Sequence, residues 1–325
     1  MSSSPKASPA VERLPGASDS VESDRGKALP WLEELSVAPV VDQGFFLWRG
    51  VTQKDGAQPV FVGRLLDQAE PWAATGEQRP PLEDFIPSVV ARLAPTAPPA
   101  AWLRQIHGAD VAEAQAGFCG AGDALVAVAE GAASPAVVTA DCVPVLLALE
   151  LGGTDEPAAE DTGLAEPVLG AAHAGWRGLV AGVLPRVVDR LRESSATHRR
   201  LRAWVGPTIG PCCYEVDEEV AQQVIDSTPE GARASVSHRP KLKPHLDLPA
   251  VAAHQLHAAG VEEVTVLRTC TRCHPQQLWS YRGHGPRAGR NLAFIYSADA
   301  GAGRASTGQA DIGRASTGPE AEESA

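Results

Sequence analysis

Three side chains interrupt apolar stretches with groups that bind metals or move protons. His107 closes the segment QIHGADV, Cys142 follows Asp141 inside the run AVVTADCVPVLLALE, and His173 lies in AAHAGWRG, where glycine allows close approach. One thiolate and two imidazoles form the donor set of a zinc site with three protein ligands and an open fourth position. Zinc held in that way lowers the pKa of a bound water toward about 7 and polarises a substrate oxygen or nitrogen. The separations, 35 and then 31 residues, match no local zinc motif. Two readings therefore stand: one metal centre, or a buried cysteine with two unrelated core histidines. A third use of the same trio is Cys142 as a nucleophile with His107 or His173 as its base.

Other polar groups surround these three in the chain. Asp141, beside the cysteine, and Asp123, in GDALVA, are candidates for a catalytic or ribose-binding carboxylate, or for fixing a histidine tautomer. Arg177, directly after His173, and Arg282, Arg287 and Arg290 are candidates for an anion site. For Arg177 the helix start adds backbone N–H groups. GPTIGP (206–211) reads as a rigid turn before Cys212, Cys213, Tyr214 and Glu215, with Glu215 able to orient a ligand. Adjacent cysteine side chains usually point apart, which favours a structural role for that pair. Cys270-x-x-Cys273-His274 resembles half a zinc knuckle or a redox pair; a metal there would have to recruit Cys212 or Cys213. His254-x-x-His257 lacks the glutamate of a zincin and reads as surface. Gly283-x-Gly285-x-x-x-Gly289 has the wrong spacing for a dinucleotide fingerprint.

The elements that must position these groups are mixed. FFLWRGV (45–51), PVFVGRLL (59–66), AWLRQIH (101–107), LRAWVG (201–206) and VEEVTVLR (261–268) have strand length and composition. The apolar runs 136–150 and 168–175 read as two buried strands. LEDFIPSVVARLA (82–94) reads as a helix despite Pro87. In WRGLVAGVLPRVVDRLRE (176–193) the residues Leu179, Val183, Leu184, Val187, Val188 and Leu191 recur with the helical period, and Pro185 predicts a kink or a division. LPAVAAHQLHAAG (248–260) predicts a helix capped by Asp247 and stopped by Gly260. The order is neither strict βαβ alternation nor all-β, so the expected class is α/β or α+β, a mixed sheet layered with helices.

Of 325 residues, the expected organisation is a 1–30 segment without apolar period, a single domain over 31–297, and a tail over 298–325 that repeats GRASTG. Within the domain, 151–167 reads as an acidic surface loop. The net charge of −12 comes largely from that loop and the tail: Glu150 to Glu166 holds six acids and no base, and 298–325 holds five acids against two arginines. A body near neutrality argues against a nucleic-acid partner, and no run approaches about 18 apolar residues, which argues against a membrane span. The N-terminus lacks the apolar core of a signal peptide and six cysteines are too few for a disulfide scaffold, so a cytoplasmic protein with no obligate protein partner is expected. Nine histidines without one His-x-His pair, and Met1 as sole methionine, do not suit a multicopper oxidase. The His-x-Glu and Pro-Cys-x-x-Cys elements of cytidine-type deaminases are absent.

QIHGADV, TADCVPVLL, AAHAGWRGLVAGVL, GPTIGPCCYEV and CTRCHPQQLWSYRGHGPRAGRNLAFI occur in the order and spacing of the YfiH family, also called the laccase-domain or polyphenol oxidase family. The resemblance covers about residues 101–297. It implies a YfiH-like fold and a zinc site at His107, Cys142 and His173, with copper as second choice, and these three with Asp141 as the catalytic set. The activity implied is phosphorolysis of adenosine, inosine and S-methyl-5'-thioadenosine, with deamination of adenosine; purine nucleosides and phosphate would be the small-molecule partners. An editing role on cell-wall precursors is also attached to the family. Arg49, Asp123, Arg177 and Arg282 are the expected substrate contacts. The front departs from the family pattern: Phe46-Leu47-Trp48-Arg49-Gly50-Val51 keeps the arginine without the paired glycines or the Asn-Leu-Gly element. SYRGHG stands where relatives often carry arginine and aspartate.

Overall fold

In the computed structural model the described residues are 29–36, 38–49, 56–66, 78–128, 133–151, 167–194, 199–228, 236–237 and 242–297. The acidic segment 152–166, residues 1–28 and the GRASTG tail (298–325) lie outside them, as do the expectations placed there.

Two seven-stranded sheets dominate. The first runs β1 (Leu32–Leu35), β15 (Glu263–Leu267), β12 (Arg199–Val205), β10 (Val143–Leu151), β11 (Val168–Ala174), β8 (Ala124–Ala127), β6 (Val111–Glu113). The second runs β2 (Val40–Asp42), β3 (Phe45–Arg49), β4 (Ala57–Leu65), β16 (Asn291–Ser297), β9 (Ser134–Thr139), β5 (Ala100–Arg104), β7 (Gly117–Ala121). A third, two-stranded sheet pairs β13 (Val236–Ser237) with β14 (His245–Leu246). Parallel and antiparallel pairs occur in both large sheets, so the mixed α/β class holds.

Strand alternation builds four layers. On β10, Val143, Val145, Leu147 and Leu149 face one core while Leu146 and Ala148 face another, as a period of two requires. The first core lies against α3 (Val183–Glu193) and α5 (Leu248–Ala258), with Leu179 of α2 (Trp176–Val180) and Ala221 and Val224 of α4 (Glu218–Asp226). The second lies between the sheets, where Trp204 of β12 and Phe61 of β4 are at most 2% exposed. Burying each such large side chain contributes roughly 1.5–3 kcal/mol. The third core sits under α1 (Leu82–Leu93), whose Phe85, Ile86, Val89, Val90 and Leu93 form one stripe. That stripe carries the helix through Pro87.

Two expectations change. The run 136–150 is not one strand: β9 ends at Thr139, residues 140–142 turn, and β10 begins at Val143 in the other sheet. The helical stretch 176–193 does divide, but at Gly182, where φ is +78°, and not at Pro185. Pro185 is the third residue of α3, in the first turn, where its missing N–H costs no hydrogen bond. The helix at 248 starts as expected, with the Asp247 carboxylate accepting from the Ala250 N–H at 3.1 Å. His257 stacks on Trp31 at 4.1 Å between ring centroids, so the surface histidine pair secures the segment leading into β1.

Candidate functional site

The switch between sheets creates the site. Asp141 occupies the turn with φ +101°, a backbone region that favours glycine. Four interactions hold it there. Its carbonyl accepts from Thr208 Oγ1 at 2.5 Å and the Ile209 N–H at 3.1 Å. Its carboxylate accepts from Thr271 Oγ1 and from the Arg282 N–H, each at 2.6 Å. With both carboxylate oxygens engaged on neighbouring loops, Asp141 is placed to hold the turn that presents Cys142.

Cys142, His107 and His173 come together, with one donor atom from each within 4.8 Å of the others. His173 is buried on β11, Cys142 is half-buried, and His107 is exposed, so the cluster opens on the His107 side. The two imidazole rings meet edge to face at 4.8 Å. Gly175 makes room: a Cβ there would sit 2.9 Å from the Cys142 sulfur and 3.6 Å from His107 Cδ2.

Asp123, fully buried, organises the other two. Its Oδ1 lies 2.8 Å from His173 Nδ1 and accepts the His107 N–H at 2.9 Å. Its Oδ2 accepts the Gly108 N–H at 2.6 Å and the Ile106 N–H at 3.3 Å. This fixes His107 in the left-handed region (φ +59°) and leaves His173 Nε2 facing the cluster. Asp123 therefore has no oxygen left for a substrate. Its place is behind His173, which fits the tautomer-fixing use that the sequence also offered for it.

The charges reinforce one another. Burial pushes the Cys142 thiol up, but hydrogen bonds and charge from His107 and His173 outweigh it and bring the thiol down to about 6. Burial pushes His173 down, and Asp123 and Cys142 reverse that, raising it to about 9. The two shifts share one cause, the contact between the Cys142 sulfur and the His173 ring. A thiolate with two oriented imidazoles fits a soft, tetrahedral metal ion. Among the described residues the only other comparable group is the four cysteines Cys212, Cys213, Cys270 and Cys273.

The arginines divide. Arg49 forms an exposed ion pair with Asp42 at 3.1 Å, at the end of β3 in the sheet that does not carry His173. Arg177 is exposed over Trp176 at the start of α2. Arg282 spans Tyr214 at 5.3 Å and donates to the Glu215 carbonyl at 2.9 Å. Burial, with a smaller push from the Cys142 charge, raises Tyr214 to about 12, against the pull of Arg282 and Arg177. Burial also lowers Arg290, as does the charge of Arg79, while Cys142 pulls the other way. Arg79 was not among the residues singled out from the sequence; it lies outside the motifs and reaches this region by bonding the Ala288 carbonyl at 3.2 Å. Glu215 turns its carboxylate toward His245, 4.0 Å away.

The family described as multi-copper polyphenol oxidoreductase laccase matches residues 87–298. The purine nucleoside phosphorylase YfiH of Escherichia coli (strain K12) is 32% identical over 197 residues, covering 60% of this chain and 72% of that protein. The adenosine deaminase RL5 of an unknown prokaryotic organism is 32% identical over 189 residues, covering 58% and 66%. The crystal structure of YlmD from Geobacillus stearothermophilus superposes with a TM-score of 0.63 at 25% identity, covering 81% of this chain and 99% of that one. Motifs, fold and matched length agree, and the chain belongs to the multi-copper polyphenol oxidoreductase laccase family, the YfiH family.

Proposed function

We propose that the chain is a zinc-dependent purine nucleoside phosphorylase acting on adenosine, inosine and S-methyl-5'-thioadenosine, with adenosine deamination at the same site. The observation that carries this reading is the convergence of His107, Cys142 and His173 within 4.8 Å on a half-open site. Relatives named purine nucleoside phosphorylase and adenosine deaminase support the substrate class. Zinc held by these three side chains supplies positive charge for the attacking phosphate or departing purine, and acidifies water for deamination. The chain's own residues do the rest. Asp123 holds His173 in one tautomer and His107 in one backbone state, so both imidazoles keep their aim without reorganising. Burial and the charge of Arg79 both disfavour the charged form of Arg290, a cost that an anion beside Arg290 would relieve; this suits phosphate.

Purified protein incubated with each nucleoside should release adenine or hypoxanthine and a ribose phosphate when phosphate is present, and no base without it. Intact nucleosides after prolonged incubation of the zinc-loaded protein would overturn the assignment. One observation favours a second reading: Asp123, His173 and Cys142 form a chain resembling a carboxylate–imidazole–thiolate relay, that of a cysteine hydrolase. Chelation separates the two. Loss of activity rescued by zinc supports the metal, whereas chelator-resistant activity abolished by alkylation of Cys142 supports the nucleophile.

A further inference from the structure

The four cysteines outside this site lie on two loops that fold against each other. Cys212 and Cys213 follow the GPTIGP turn after β12, and Cys270 and Cys273 occupy the turn after β15. The loops are joined through backbone: the Thr208 N–H donates to the Thr269 carbonyl at 3.2 Å and the Thr271 N–H to the Thr208 carbonyl at 2.9 Å. One sulfur from each cysteine lies within 4.8 Å of the other three, and all four thiols are free. The sulfurs of Cys212 and Cys213 are each 3.5 Å from that of Cys273. Zinc–sulfur bonds of about 2.3 Å at tetrahedral angles separate sulfurs by about 3.8 Å, whereas a disulfide needs about 2.05 Å. The observed separations lie close to the metal-bridged value.

Further details suit a metal. The Gly210 N–H donates to the Cys270 sulfur at 3.2 Å, the kind of backbone bond that stabilises a ligating thiolate. Gly210 also gives the cluster room, since a Cβ there would lie 3.3 Å from the Cys212 sulfur and from Cys270 Cβ. Cys212 and Cys273 are exposed, giving an ion a route in. His274 stays outside the cluster, its Nδ1 at 2.9 Å from the Cys270 carbonyl. The adjacent cysteines Cys212 and Cys213 do not point apart as their spacing suggested, because the tight turn at 211–213 brings both sulfurs to Cys273.

We propose that Cys212, Cys213, Cys270 and Cys273 form a second metal site, a closed four-thiolate site for zinc that rivets these two loops. Closed coordination makes it structural and not reactive. Its consequence reaches the first site through Asp141, because Thr208 and Ile209 on one loop and Thr271 on the other hold that strained residue next to Cys142. The inference rests on sulfur geometry and stands whether or not the proposed activity is correct.

The test is a cobalt(II) titration of the reduced, metal-free full chain carrying Cys142→Ser, which disables the first site but leaves the four cysteines native. One equivalent of cobalt should develop the thiolate-to-cobalt charge-transfer absorption and the intense visible bands of a tetrahedral four-sulfur site, and one equivalent of zinc should bleach them. Adding Cys273→Ser should abolish or weaken the bands. In the protein as purified, that substitution alone should remove one zinc per chain and leave the metal at the first site in place. Failure to develop the bands in the folded Cys142→Ser protein overturns the proposal. So does a mass measurement showing the four residues paired as disulfides in freshly purified protein, or iron in place of zinc.

Discussion

Gly175→Ala probes the first site without touching a ligand. The Cβ would stand 2.9 Å from the Cys142 sulfur, and restoring 3.4 Å, the short edge of ordinary contact, requires a shift of about 0.5 Å. Metal–ligand distances tolerate only about 0.2 Å. The displacement therefore exceeds the tolerance, and affinity should fall about 10- to 100-fold, the range seen when support around metal ligands is disturbed. The fold should survive, because Gly175 has φ −66° and ψ 168°, which alanine adopts freely. Loss of glycine at a helix N-cap costs only about 1 kcal/mol. Competition with a chromophoric chelator measures the affinity, and urea denaturation of the metal-free protein measures stability. Wild-type affinity in the variant would refute the claim that the Cys142 sulfur is a ligand packed against Gly175.

Asp123→Asn should destabilise the protein by about 3 kcal/mol, because it leaves buried His173 and three backbone N–H groups facing a group that no longer matches them. Burial raises the Asp123 pKa, but bonds from His173, Gly108 and His107 win and hold it below the usual range. Its contribution is thus complete above about pH 4 and is lost as pH falls through the depressed value; melting temperature against pH should show that acid loss in wild type and not in the variant. Arg290→Gln should raise KM for phosphate about 10- to 100-fold with a smaller change in kcat, read by steady-state kinetics. Gly206→Ala should cost about 1–3 kcal/mol or more in denaturant titrations, since its Cβ would meet the Phe61 ring at 2.3 Å between the sheets.

Much of the site was legible because its chemistry is local. A histidine or cysteine inside an apolar run is conspicuous, and His107, Cys142 and His173 could be named on that basis. Helix α5 was legible from period and cap, and β11 from its unbroken apolar run. What escaped was set by distant contacts. Nothing in TADCVP shows that Thr139 and Val143 belong to different sheets; Asp141 adopts its strained turn because Thr208, Thr271 and Arg282 reach it from 67 to 141 residues away. Tautomer fixing was one of the uses open to Asp123 in the sequence; that the histidine it meets is His173 depends on β8 lying beside β11. Short strands such as β6 and β7 are half-exposed, so their residues lack the apolar alternation that marks a strand. Arg49 survives in its motif but meets Asp42, a partner from the adjoining strand.

The central claim is that His107, Cys142 and His173 hold a zinc ion on which nucleoside cleavage depends. The most direct test is zinc content of wild type beside Cys142→Ser, with phosphorolysis of adenosine and inosine measured on the same samples. The variant should carry about one zinc fewer per chain and lose turnover with it. Full zinc content with unchanged turnover in the variant would contradict the account.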